Sequence, residues 1–248
     1  MMNYEIRVFL WAVELNKLSA LVISMNLMEL PAMSLTTAAH PAQPIRLYHF
    51  ALSGHAHRVE LFLSLLALPT EIVPVNVLKR EQKTPSFLAM NPFGQVPVIQ
   101  DGEVTLADSN AILTYLARRY DASGQWWPQD AVKAAEVQRW LSVAAGPLLQ
   151  GAGNARIAVL FGRPMDPRAL EIAGQLLWVM EPLLAQQRFL VAGDAPTLAD
   201  IALYTYTSHA PEGGVSLQPY ENVRRWLAEI EALPGFVGMQ RSPEHKAA

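Results

Sequence analysis

Between Tyr120 and Pro128 the hydrophobic rhythm of this chain changes, and it does not change back. Upstream, stretches with apolar residues at every second position are interleaved with stretches at helical spacing. Downstream, every patterned stretch is helical. Side chains alternate across a strand but return to one helix face about every 3.6 residues. The chain is therefore constrained to a mixed α/β part followed by an all-helical part. In the first part, Ile45 to Phe50 and Glu71 to Val77 read as strands. His57 to Leu68 reads as a helix ended by Pro69. Lys79 to Met90 is polar and irregular, with room for one helical turn. Val96 to Ile99 and Val104 to Leu106 read as two further strands, joined by a tight turn at Asp101-Gly102. Asp108-Ser109-Asn110 can cap a helix over Ala111 to Tyr120. The predicted order is β-α-β-α-β-β-α. In the second part, helices are expected over Ala131 to Ala145, Arg168 to Gln186, Thr197 to Tyr206 and Tyr220 to Leu233.

Composition narrows the function classes. A chain of 248 residues that is 51% hydrophobic and 17% charged has ample material for a buried core. A net charge of −3 without any run of Lys or Arg gives no footprint for nucleic acid. There is no cysteine, so disulfides and cysteine-held metals are excluded, and any thiol chemistry must use a thiol brought by a ligand. Residues 1–32 are apolar but broken by Glu5, Arg7, Glu14, Lys17 and Glu29, which fits neither a signal peptide nor a membrane span. They read as an extension outside the fold, with Met33 as a second start. The expected layout is an extension over residues 1–44, an α/β domain over 45–120, a linker over 121–128, an all-helical domain over 129–240 and a tail over 241–248.

Three motifs carry a resemblance. They are Pro92-Phe93-Gly94-Gln95-Val96-Pro97-Val98-Ile99, Leu106-Ala107-Asp108-Ser109-Asn110-Ala111-Ile112 and Thr197-Leu198-Ala199-Asp200-Ile201-Ala202. Their residues and spacing resemble cytosolic, bacterial-type glutathione transferases over roughly Ile45 to Met239. The resemblance implies a thioredoxin-like N-terminal domain, an all-α C-terminal domain and glutathione as co-substrate. It also implies a cis bond before Pro97, which would turn the backbone N–H and C=O of Val96 toward a peptide-like ligand. An ordinary edge-strand proline is the alternative. Asp108 and Ser109 fit a plain helix cap. They also fit a seat for the γ-glutamyl end of glutathione, with Asp108 on the ammonium and Ser109 and the helix N-terminus on the carboxylate. Thr197-x-x-Asp200 reads as a capping box with a structural role.

In this family the loop after the first strand carries the group that touches the glutathione sulfur. Here that loop is Ala51-Leu52-Ser53-Gly54-His55-Ala56-His57-Arg58, and the resemblance points to Ser53 as the catalytic hydroxyl, of the Ser/Thr type. A loop serine without function is the alternative. Tyr48 lies in the strand and is not aimed at the loop. His55 is expected beside the sulfur, and Gln95, Val96, Pro97, Asp108 and Ser109 complete the glutathione site. His55 and His57, two residues apart, do not share a helix face, and no metal is expected. His57 and Arg58 read as the start of the helix, and His209 has no assigned role. The second substrate is expected between the domains, near Arg139, Trp140 and Arg156, although Trp140 also reads as core.

The implied function is a cytoplasmic, homodimeric detoxification enzyme. It would activate the glutathione thiol for conjugation to an electrophile or for reduction of a peroxide or disulfide. A glutathione-dependent isomerase is an alternative, but the loop lacks the Ser-Ser-Cys-Ser run of that type. A non-catalytic glutathione-binding stress-partner module is another. No nucleic-acid or membrane partner is expected.

Overall fold

The computed structural model describes residues 40–242. The expectations for the N-terminal extension and for the last residues of the tail lie outside that range. The first part is a four-stranded sheet in the order β2-β1-β3-β4, with β1 (Ile45–His49), β2 (Thr70–Pro74), β3 (Val98–Asp101) and β4 (Val104–Ala107). β1 runs parallel to β2 and antiparallel to β3, and β3 pairs antiparallel with β4.

Strand alternation decides how the sheet is covered. Ile45, Leu47 and Ile99 join one apolar cluster with Val59 and Phe62 of α1 (Gly54–Leu65) and Ile112 and Leu116 of α3 (Ser109–Tyr120). Tyr48 and Val98 face the other side and pack with Phe87 of α2 (Pro85–Met90). Full burial of each such side chain is worth about 1.5–3 kcal/mol. The hairpin differs in one detail from its sequence signal. Asp101 pairs with Val104, so the two-residue loop is Gly102-Glu103, with Gly102 at φ +56, the first loop position where hairpins favour glycine. Asp101 instead accepts from the hydroxyls of Tyr115 at 2.7 Å and Tyr120 at 2.5 Å, tying the hairpin to α3.

The second part contains α4 (Ala131–Val143), α5 (Asn154–Leu160), α6 (Pro167–Gln186), α7 (Leu198–Ser208) and α8 (Glu221–Glu231). Gly146 to Gly153 carries three glycines and a proline, residues that weaken an ordinary helix. In the structure the chain continues helically through it. Residues 144–153 form wide π-type turns that join α4 to α5. Pro147 has no N–H to give a tighter helix, and Gly151 lets the segment approach α6 so closely that a methyl group there would lie 2.7 Å from the Ala173 nitrogen. Every residue of α7 is buried. Its capping box forms as read: Thr197 N–H donates to Asp200 Oδ2 at 2.8 Å, and Ala199 N–H to the Thr197 hydroxyl at 3.3 Å. Asp200 also accepts from Leu190 N–H and the Trp226 indole, each at 2.9 Å.

The two parts share one core, and polar side chains lock the seam. His57, fully buried, donates from Nε2 to the Val237 carbonyl at 3.0 Å and accepts at Nδ1 from the Thr205 hydroxyl at 2.9 Å. Burial pushes its pKa down to about 4, so it is neutral. Asn110 accepts from Arg58 at 3.0 Å and donates to the Leu141 carbonyl at 2.9 Å.

Candidate functional site

A cleft of about 840 Å³ lies between the sheet and the helices. Its sheet-side wall is the loop after β1, the Asn91–Pro97 segment and the start of α3. Asn91 builds the second of these. Its side chain donates to the Gln95 carbonyl at 2.8 Å and accepts from Phe93 N–H at 3.1 Å, and Gly94 turns at φ +58. The Val96–Pro97 peptide is cis. Neither backbone polar group of Val96 is paired in the backbone hydrogen bonds of the described residues. Such groups normally find partners, and here they border the cleft.

Asp108 stands at the N-terminus of α3 with φ +71 and ψ +121, a positive-φ backbone outside the left-handed well that is strained for any residue but glycine. Its Oδ1 accepts from Asn110 and Ala111 N–H, each at 2.9 Å. This carboxylate is exposed, and its Oδ2 has no hydrogen bond among the described residues. Ser109 is buried, and its hydroxyl lies 3.2 Å from His55 Nδ1. Burial, and then the Arg58 charge, bring the His55 pKa down to about 3, so this imidazole is neutral across the working pH range.

Ser53 is the N-cap of α1, which starts three residues before its sequence signal. Its Oγ accepts from Ala56 N–H at 3.3 Å. A capping hydroxyl uses its lone pairs, so its own proton stays available to a neighbour in the cleft.

Ser53, His55, Gln95, Val96, Pro97, Asp108 and Ser109 therefore all border one cavity. Arg139, Trp140 and Arg156 do not, which corrects their expected place in a second-substrate pocket. Arg139 is exposed and paired with Glu136. Trp140 is core, its indole donating to the Leu190 carbonyl at 2.9 Å. Arg156 is buried behind the wall, where it bonds Glu212 at 2.6 Å and donates to the Leu52 carbonyl at 2.8 Å. The helical wall begins one turn later than expected, with Ala145 and Leu149 in the wide turns. It continues through Ile157, Leu160, Phe161 and Arg163, and Tyr206 closes it from α7.

His209, unassigned from sequence, pairs with Glu212 at 2.5 Å in the same buried cluster as Arg156. His55 and His57 turn to different partners, and among the described residues no group of three or more His, Asp or Glu could hold a metal ion. Also among these residues, no helix is long and apolar enough to cross a membrane.

Comparison with known proteins gives consistent matches. Residues 43–118 match the family described as glutathione S-transferase, N-terminal domain, and residues 161–234 match glutathione S-transferase, C-terminal domain. Glutathione S-transferase 3 of Zea mays is 35% identical over 214 residues, 78% of this chain and 91% of the maize protein. Glutathione S-transferase theta-3 of Mus musculus is 30% identical over 81% of this chain and 87% of its own. The crystal structure of a glutathione S-transferase from Pseudomonas fluorescens superposes with a TM-score of 0.73 at 32% identity, covering 79% of this chain and 98% of that one.

Proposed function

The chain belongs to the glutathione S-transferase family and is a transferase that uses glutathione, and from that premise we propose that Ser53 activates the glutathione thiol. A free thiol has a pKa of about 8.5, and only its thiolate attacks. One observation carries the reading: the Ser53 oxygen caps α1 while its proton remains free to donate into the cleft. A hydroxyl donor and a helix N-terminus both favour the thiolate.

The other assignments follow from what each group can bond. The unpaired Oδ2 of Asp108 suits the α-ammonium of the γ-glutamyl end. Ser109, at the start of α3, suits its carboxylate. The free N–H and C=O of Val96, flanked by Gln95 and Pro97, suit the peptide backbone of glutathione. His55, neutral, is a polar neighbour and not a counter-charge. The apolar wall of Leu149, Ile157, Leu160 and Phe161 favours a second substrate with an apolar body, so conjugation to an electrophile is preferred over reduction of a peroxide or disulfide. Family membership further supports a homodimer with a cytoplasmic, detoxifying role.

Ser53→Ala tests the thiol assignment. Glutathione should still bind, while the bound-thiol pKa rises by about one to two units, as expected when a hydrogen bond to a charged group worth about 1.5–3 kcal/mol is lost. Turnover at neutral pH should fall about ten- to a hundredfold and recover in part as the pH is raised. A rate indifferent to the substitution at every pH would sink the assignment. An aryl halide, an organic peroxide and a mixed disulfide, run in parallel, separate the reaction types.

A further inference from the structure

We propose that Tyr206, carried by α7 of the helical half, is a second hydroxyl donor to the glutathione sulfur, facing Ser53 across the start of α1. This rests on the reading of Ser53 as a thiol donor. Tyr206 is almost fully buried, yet it borders the cleft. Its ring lies against Gly54, the first residue of α1. A methyl group on that glycine would sit 2.8 Å from the phenol carbon that bears the hydroxyl. The ring is edge-on to His55, with centroids 5.2 Å apart. The end of the ring that bears the hydroxyl is thus set over the first turn of α1.

The first N–H groups of any helix lack partners within it and carry its positive end. In α1 the Ala56 N–H gives to Ser53, and the Tyr206 ring stands over Gly54, so two hydroxyl-bearing side chains border that helix end. A phenol has one proton to donate. No acceptor for the Tyr206 proton occurs in the hydrogen bonds of the described residues, and the cleft lies in front of it.

The charged surroundings favour this use. The Arg58 guanidinium of α1 lies 5.8 Å from the ring centroid, fully buried, with its Nε and one terminal nitrogen unpartnered. Arg156 of α5 adds a second nearby cation, and His55 is neutral. The Arg58 field, which opposes a positive charge on His55, equally favours a negative charge on a sulfur beside it. Burial pushes the Tyr206 phenol up, so it remains a protonated donor at neutral pH.

The test is the pKa of bound glutathione, followed by thiolate absorbance, in Tyr206→Phe, Ser53→Ala and the double variant. Tyr206→Phe keeps the ring and removes only the hydroxyl. It should leave glutathione affinity nearly unchanged, raise the bound-thiol pKa by about one unit and lower kcat at neutral pH about tenfold, with the double variant worse than either single one. A merely structural role would lower the melting temperature and leave the thiol pKa in place, and that result overturns the proposal. A thiol pKa that moves with Ser53 alone removes Tyr206 and spares the Ser53 reading, whereas one that moves with Tyr206 alone does the opposite. If Tyr206→Phe is unstable, replacing Tyr206 by a fluorotyrosine decides. Its more acidic phenol should lower the bound-thiol pKa, and no change overturns the proposal.

Discussion

On the proposed reading Asp108 holds two jobs on separate oxygens, and two substitutions can tell them apart. Its Oδ1 caps α3 and its Oδ2 is the one offered to a ligand. Asp108→Asn keeps a capping oxygen and nearly the same shape, but removes the charge. We expect it to lower glutathione affinity about ten- to a hundredfold, from a charged hydrogen bond of about 1.5–3 kcal/mol, with an unchanged melting temperature. Asp108→Ala should lower both, because the cap is lost and the backbone is left strained. Calorimetric titration beside thermal melts checks the pair, and unchanged affinity in both would reduce Asp108 to a cap. At this scale the sequence displays residues whose chemistry is local: a serine before a helix, an Asp-Ser pair at a helix start, a proline after Val96. It hides residues whose role comes from what the fold brings to them. Tyr206 sits among Leu203, Thr205 and Thr207 on a helix buried all round and reads as core. Arg156 reads as a pocket cation until Glu212, 56 residues away, is placed against it.

Helix ends show the same division. The cap of α7 is written in four consecutive residues, Thr197 to Asp200, and could be read directly. That of α8 could not. Tyr220 offers no capping side chain, and the N–H groups of Asn222 and Val223 are taken instead by Glu181 of α6 at 3.0 and 3.1 Å. Burial pushes the Glu181 carboxyl up, but the N–H donors of Asn222 and Val223 outweigh it and hold its pKa below the ordinary value. A pKa lowered by folding means stability that is complete above the unfolded value, about 4.3, and is lost as the pH falls through the folded one. Glu181→Gln should flatten the dependence of unfolding free energy on pH below about 4.5. Glu181→Ala should cost about 0.5–2 kcal/mol at neutral pH, the range for a lost cap. Denaturant melts across pH 3 to 7 measure both, and equal slopes in wild type and Glu181→Gln would refute the cap. The joint between α4 and α5 was illegible for a related reason. Local glycine and proline signals argue for a break, and close packing on α6 overrides them.

At the scale of the molecule, the loop that carries Ser53 belongs to both halves. Arg156 reaches from α5 to the carbonyl of Leu52, one residue before Ser53, and is itself held by Glu212. Glu212→Ala would leave a buried charge without its partner and should cost about 3–5 kcal/mol. Arg156→Met combined with Glu212→Leu removes both charges and should regain part of that stability, since apolar replacement of a buried pair is often neutral, while His209 and Ser242 lose their Glu212 partner in both variants. It should not regain the rate, because the Leu52 carbonyl has lost its donor. Equilibrium unfolding and kcat, measured on the same three proteins, separate the outcomes, and a double variant of full activity would deny the loop this support. The helix that carries Arg156 also sends Ile157 and Leu160 to the cleft. Leu160 lies one turn from Arg156 and Ile157 is the residue after it, so the support of the Ser53 loop and the apolar wall share one short stretch of helix. A change that reshapes the wall therefore acts within one turn of the residue that steadies the loop, and on this scaffold the two are not free to vary apart.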